Sequence, residues 1–307
     1  MKYRHAFHAG NFADVHKHVT LLALLRALAR KDKGFLLIDT HAGRGRYDLA
    51  AADARKGDEA QGGIERLLAA ASAGAAKAAA ASAGAVITEI PELVDYLDLV
   101  RRARKGPHAR HAYPGSPWLA LQALRPQDRA LFVETQPAEH AALDANVRAA
   151  TLTAGVPHAR VTTECADGYA RLAHWLPNVE RRALVLVDPP YEESRSDFDA
   201  AVDAIAIVLR RLPTAVIAIW YPIKNERDTD AWLERLPARL PHDAAHPPTF
   251  LCSELWLHPR DNRVGLNGSG MLLVNPPWQI DTRMREWLPA LHAVLDPAPA
   301  RGGWRVR

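Results

Sequence analysis

Seven short apolar runs, rich in branched residues and each closing on polar or turn chemistry, recur at residues 35–39, 130–134, 160–164, 183–188, 215–221, 250–257 and 270–275. Runs of this length and composition predict buried strands. Helical patterns separate most of them, over residues 18–29, 117–124, 139–149, 168–175 and 198–212. A chain that alternates in this way buries both faces of its strands in a mainly parallel sheet covered by helices on each side. The last two runs are joined only by the polar loop HPRDNRVGLNGS, which predicts an antiparallel pair at one edge.

Residues 47–113 interrupt the alternation with no strand pattern. They read as a helical insertion, and residues 1–46 with 114–307 read as the main domain. The middle of the insertion, AAASAGAAKAAAASAGA, has no large apolar residue to pack with, so part of it reads as a linker. The basic run RRARKGPHARH at residues 101–111 is open to two readings, a solvated surface or an RNA contact.

The amino terminus lacks an apolar secretory core and no apolar run is long enough to span a bilayer, so the chain is expected to be cytoplasmic, with no membrane partner. Two distant cysteines, Cys165 and Cys252, argue against a disulfide scaffold and are expected to be reduced core thiols. The net charge of +4 permits a nucleic-acid partner without identifying one. His5, His8, His16 and His18 add cationic character near pH 6, and with no HExxH or cysteine partner beside them no metal is expected.

The chemistry gathers at strand ends. After the first strand comes Thr-His-Ala-Gly-Arg-Gly, in which Gly43 and Gly45 let backbone approach a bound cofactor closely. The second large strand ends in Glu134, placed to accept hydrogen bonds from ribose hydroxyls although it comes 89 residues after Gly45. After the third, Asp167 is placed to meet an adenine amino group while Gly168 opens a helix.

The fourth ends in Asp188-Pro189-Pro190-Tyr191, the most specific feature of the chain. A conjugated amino group is a poor nucleophile. Methylating it needs acceptors that hold both amine hydrogens and raise electron density on nitrogen. Asp188 and a neighbouring backbone carbonyl supply such acceptors, the prolines stiffen the loop, and Tyr191 is expected to stack on a flipped base. A second tetrapeptide, Asn275-Pro276-Pro277-Trp278, is chemically comparable, but only 29 residues follow it, so Asn275 reads as the end of an edge strand.

Taken in order, YRHAFHAGNFADVHKH, LIDTHAGRGRY, YPGSP, Glu134, ADGY, LVDPPYE, IWYPI and SGMLLVNPPW resemble the RlmJ-type family of 23S ribosomal RNA adenine-N6 methyltransferases over nearly the whole chain. The resemblance implies a Rossmann-like class I methyltransferase fold, with a seven-stranded, mainly parallel sheet, an antiparallel edge strand and an inserted helical subdomain. It implies S-adenosylmethionine as cofactor, contacted by His18, His41, Ser116, Glu134, Asp167 and Gly168, with Asp188 at the catalytic centre. It also implies an amino-terminal segment over the active site, bringing Tyr3, His5 and Lys17 near the target base.

The expected reaction is methylation of a flipped-out adenine in naked or partly assembled 23S RNA by a monomer. The alternatives are a DNA adenine-N6 methyltransferase on the same fold, or a non-catalytic RNA-binding protein that retains it.

Overall fold

A computed structural model describes residues 7–76, 86–106, 109–192, 194–241, 246–262, 265–296 and 302–307. Tyr3, His5 and most of the alanine-rich stretch lie outside them.

The chain runs through α1 (Phe12–Ala29), β1 (Leu36–Asp39), β2 (Arg46–Asp48), α2 (Ala52–Gly57), α3 (Glu59–Gly62), α4 (Ile64–Ala76), α5 (Pro91–Ala103) and β3 (Ala112–Pro114). It continues through α6 (Ser116–Ala123), β4 (Arg129–Glu134), α7 (Pro137–Thr151), β5 (Val161–Cys165), α8 (Gly168–Trp175), β6 (Ala183–Val187), α9 (Ser194–Arg211) and β7 (Val216–Ile223). It closes with α10 (Glu226–Arg239), β8 (Phe250–Trp256), β9 (Gly268–Val274), α11 (Ile280–Leu295) and β10 (Gly303–Val306).

The main sheet has eight strands in the order β10-β8-β9-β7-β6-β1-β4-β5, one more than expected. From β7 to β5 neighbouring strands are parallel, and β9, β8 and β10 add three antiparallel ladders. The unforeseen β10 takes the edge beside β8, and β9, expected at the edge, lies in the interior between β8 and β7. The four residues of β10 include an arginine and lack an apolar run. It is held by backbone pairing with β8 and by charge: Glu254, fully buried, accepts from Arg305 and from Tyr221 at 2.8 Å, and Asp230 binds Arg305 at 2.6 Å and Arg307 at 2.5 Å.

Strand runs that are apolar on both faces require cover on both. One face packs on α1, α4, α5, α6, α7 and α11, the other on α8, α9 and α10. The expectation missed α10 and α11. Each carries an internal proline, Pro237 and Pro289, which reads in sequence as a break.

Helix α1 has no separate polar face and is buried from Ala13 to Leu25. A helix without a polar face belongs in an interior, and here it crosses the sheet beneath the inserted helices. The insertion returns to its starting point through an antiparallel ladder pairing Arg46 with Pro114, Tyr47 with Tyr113 and Asp48 with Ala112. Gly115 N then donates to the Gly45 carbonyl at 3.0 Å, so the chain leaves and re-enters the main body at nearly one point.

β1 is followed in the sheet by β4 on one side, and β6 by β7 on the other. In open α/β sheets the crevice outside the carboxyl ends of strands at such a reversal is where ligands bind.

Glu254 generates a stability prediction. Glu254→Ala leaves Arg305, Arg307 and Arg260 facing Asp230 with one carboxylate fewer, and should cost about 3–5 kcal/mol in urea unfolding. Glu254→Gln, which keeps an acceptor for Tyr221, should cost less; equal losses would mean that the charge is immaterial.

Candidate active site

Asp39 ends β1, and its side chain is buried beneath the crevice. It accepts from Ser116 Oγ at 2.7 Å and from the His41 backbone N–H at 3.3 Å. Burial pushes its carboxyl up to about 7; the Ser116 hydrogen bond opposes this and the nearby Asp188 adds to it.

The loop after β1 is tied down on both sides. Thr40 N donates to Leu186 O at 3.0 Å and Ala42 N to Val133 O at 2.9 Å. Thr40 Oγ1 also donates to Leu186 O, so its lone pair faces His41 Nδ1 at 2.8 Å. This arrangement leaves Nε2 of His41 as a free acceptor. Burial lowers the imidazole to about 4, against the pull of Asp188 and Asp167, so His41 is neutral.

Gly43 has φ 59°, and a Cβ there would fall 2.3 Å from the Tyr47 hydroxyl, so the turn excludes any side chain. Its N–H donates to Glu134 Oε2 at 3.1 Å, and Gln136 N donates to Oε1 at 2.7 Å. The parallel pairing of β1 with β4 is what brings residues so distant in sequence into contact. Asp167 caps α8, accepting from Tyr169 N at 2.9 Å, and the next residue, Gly168, sits so close to Thr40 that a Cβ would fall 2.0 Å from its carbonyl. Asp39, His41, Gly43, Ser116, Glu134, Asp167 and Gly168 therefore share one crevice.

Asp188 follows β6 on the same side of the sheet. Its Oδ2 accepts from Lys17 Nζ at 2.5 Å, and the same ammonium reaches Asp14 Oδ1 at 2.8 Å. Burial alone would strip the Lys17 proton; the two carboxylates hold it well above the usual lysine range. Asp14 is fixed in turn by Gly10 N at 2.9 Å, and its own N–H donates to Asn11, the cap of α1, at 2.9 Å. On its other side Asp188 faces a cavity of ≈ 700 Å³ walled by α1, the insertion and the end of β7, with Phe12, Glu59, Pro190, Trp220, Lys224 and His258 among its lining.

Three expectations need correction. Tyr191 presents no free stacking face: it is 1% exposed, its hydroxyl donates to Trp220 O at 2.8 Å, and its ring packs 4.8 Å from Phe198. Among the described residues the amino-terminal histidines form no single surface cluster: His8 pairs with Glu59 at 2.8 Å, which pushes its imidazole up, while the other two are core residues. His16 is buried between Ser253 and Ser269 and pushed down to about 3, and His18 is buried with Nδ1 2.9 Å from the Tyr113 hydroxyl. Cys165 is exposed at the end of β5, whereas Cys252 is buried as expected.

Asn275 follows β9, whose antiparallel direction carries it to the amino ends of the parallel strands, away from the crevice. There it donates to Pro213 O at 2.8 Å and Ala215 O at 2.9 Å, while Trp278 is 83% exposed.

Asp14, Asp39 and Trp220 were not foreseen as site residues. Asp39 was detectable as an acid ending the first strand, and Asp14 as the opposite charge one helical turn from Lys17 in α1. Among the described residues, no group of three or more histidines, cysteines or acids is placed to hold a metal, and no helix is long and apolar enough to cross a membrane.

The model of the family described as ribosomal RNA large subunit methyltransferase D, RlmJ, matches residues 32–307. The chain is 36% identical over 306 residues to ribosomal RNA large subunit methyltransferase J of Haemophilus influenzae, covering 100% of this chain and 98% of that protein. It is 36% identical over 300 residues to the protein of the same name from Escherichia coli K12, covering 97% and 95%. A crystal structure of a Legionella pneumophila protein superposes with a TM-score of 0.75 at 28% identity, covering 98% of both chains. A crevice at the sheet reversal, an Asp-Pro-Pro-Tyr loop beside it and a match along the whole chain place this protein in the RlmJ family of ribosomal RNA large subunit methyltransferases.

Proposed function

We propose that the protein transfers a methyl group from S-adenosylmethionine to the exocyclic N6 of an adenine in 23S ribosomal RNA. The observation that carries this reading is the position of Asp188, a carboxylate standing between the glycine-lined crevice and the cavity, with one oxygen held by a buried lysine.

The crevice fits the cofactor in its donor set. Asp39 suits an ammonium, Glu134 suits ribose hydroxyls, Asp167 suits an adenine amino group, and His41 Nε2 offers a neutral acceptor. Gly43 and Gly168 leave room for close approach, and Ser116 orients Asp39. His18 acts from the interior, through Tyr113. S-Adenosylmethionine, when bound, supplies an electrophilic methyl carbon on a sulfonium.

On the cavity side, Asp188 Oδ1 and a carbonyl of the Pro189-Pro190 loop accept the two amine hydrogens and localise the lone pair on nitrogen. As the N–CH3 bond forms and the S–CH3 bond breaks, charge develops on nitrogen beside the fixed carboxylate. The nitrogen then sheds one proton through Asp188 to water. Lys17, protonated throughout, holds and orients the Asp188 side chain; it is no base. Tyr3 and His5 keep the substrate-side roles that the resemblance implies. Residues 47–113 act as a subdomain that walls the cavity, to which they contribute Asp58, Glu59, Gly62 and Arg66. We place the reaction in the cytoplasm, on RNA not yet fully assembled, and assign it to a single chain.

Incubation with methyl-labelled cofactor and deproteinised 23S RNA should place label in N6-methyladenine; label confined to cytosine, or to DNA, sinks the assignment. Asp188→Ala should lower turnover by roughly 10²–10³-fold or more, while calorimetry finds cofactor affinity nearly intact, because Lys17 keeps Asp14 as partner. Undiminished methylation by that variant would refute the catalytic role.

The Asp39 shift sets a pH dependence. A carboxyl raised to about 7 is protonated below that pH and cannot pair with an ammonium. Cofactor affinity should therefore rise by up to roughly tenfold per unit between pH 5.5 and 7, and Asp39→Asn should flatten the profile. Without cofactor the sign reverses. The native state holds this proton up to about 7 while an unfolded aspartate loses it near pH 4, so raising the pH across that window removes stability.

A further inference from the structure

A base extruded from an RNA strand loses its stacking partners, and a pocket that holds it must supply an aromatic face. Tyr191, the obvious residue in the catalytic loop, is buried with its hydroxyl committed to Trp220 O. Trp220 differs. In β7, buried for most of its length, it is half-buried and lines the cavity. The β6–β7 register pairs Val187 with Ile219, so one residue further along the two strands come Asp188 and Trp220. The indole therefore stands beside the carboxylate that addresses the amine.

Trp220 is also held more firmly than a wall residue needs to be. Its Nε1 donates to Ser269 Oγ at 3.0 Å; Ser269 Oγ lies 3.0 Å from His16 Nδ1, and His16 Nε2 lies 2.9 Å from Ser253 Oγ. His16, Ser253 and Ser269 are fully buried. A neutral imidazole, one nitrogen donating and the other accepting, satisfies both hydroxyls. The Tyr191 ring braces the indole edge-on, with centroids 5.6 Å apart.

Around this face, among the described residues, the lining carries five carboxylates (Asp14, Asp58, Glu59, Asp188, Glu192) against three lysines and arginines and the histidines His8 and His258. An acidic cavity suits an uncharged, amine-bearing ring and disfavours phosphate, so the RNA backbone stays outside.

We propose that Trp220 is the stacking face for the target adenine, and that His16 and Ser269 are positioning residues that fix its plane beside Asp188. The proposal rests on the adenine methylation described above and assigns the substrate face of that same site.

The test compares Trp220→Phe, Trp220→Leu and Ser269→Ala with wild type in steady-state methylation of deproteinised 23S RNA. Cofactor affinity by calorimetry and thermal midpoint are measured alongside. Leucine fills the wall without stacking, and phenylalanine stacks without the Ser269 hydrogen bond. Trp220→Leu should raise KM for RNA by roughly ten- to a hundredfold with cofactor affinity unchanged. Trp220→Phe should recover most of that loss. Ser269→Ala should raise KM a few-fold with Trp220 still present.

If Leu and Phe variants perform alike, the residue only fills space and the proposal is overturned; wild-type KM in Trp220→Leu overturns it as well. Parallel loss of cofactor affinity and thermal midpoint, with KM following them, shows a purely structural role and equally overturns it. Failure of the wild-type enzyme to label adenine in RNA is a separate outcome, which removes the functional reading itself.

Discussion

The Lys17 ammonium, buried between Asp14 and Asp188, is the contact on which the rest of the site depends. A buried cation without partners would shed its proton, and a buried carboxylate would take one up. Between the two carboxylates the ammonium keeps its proton, and the first turns of α1 are locked to the loop after β6. Such a cluster is a poor source of net stability, because desolvation consumes much of the attraction. What it provides is geometry: Asp188 is fixed before any ligand arrives.

Helix α1 makes this contact through three consecutive residues. Neighbours on a helix point about 100° apart, so His16, Lys17 and His18 reach out in three different directions. His16 takes the serines of β8 and β9, Lys17 takes Asp188, and His18 takes the tyrosine of β3. Such a helix cannot be amphipathic. Its first-half polar residues are spent on buried partners, and its second half is core apart from the exposed Arg26, which pairs with Asp95. Through it the crevice, the cavity wall and the insertion stem share one rigid reference.

Much of this was legible in the residues. Branched apolar runs at 36–39, 131–133 and 183–187 could bury both faces only in a parallel sheet, and their closing acids fell at one edge because parallel strands point the same way. β10 was not legible. It has no apolar run and depends on an edge offered by β8 and on Glu254, buried far away in sequence. Helices α10 and α11 were obscured by interior prolines that their surroundings tolerate. Tyr191 was misread because an aromatic after Pro-Pro gives no sign of which way its ring turns; φ 50° and the Trp220 carbonyl turn it inward.

The sequence by itself determined the class of fold, the parallel core, the choice of Asp188 over Asn275 and, through ordered motifs, the family. These follow from local periodicity and from chemistry confined to a few adjacent residues. Only the tertiary structure decided which polar groups meet: Lys17 with Asp188, Gly43 with Glu134, Ser116 with Asp39, and Trp220 with Ser269. Each of these pairs spans tens of residues or more and forms because separate strands end side by side. Burial, which gives the charges their strength and shifts Asp39 to about 7, is a property of the packed whole that no single segment carries.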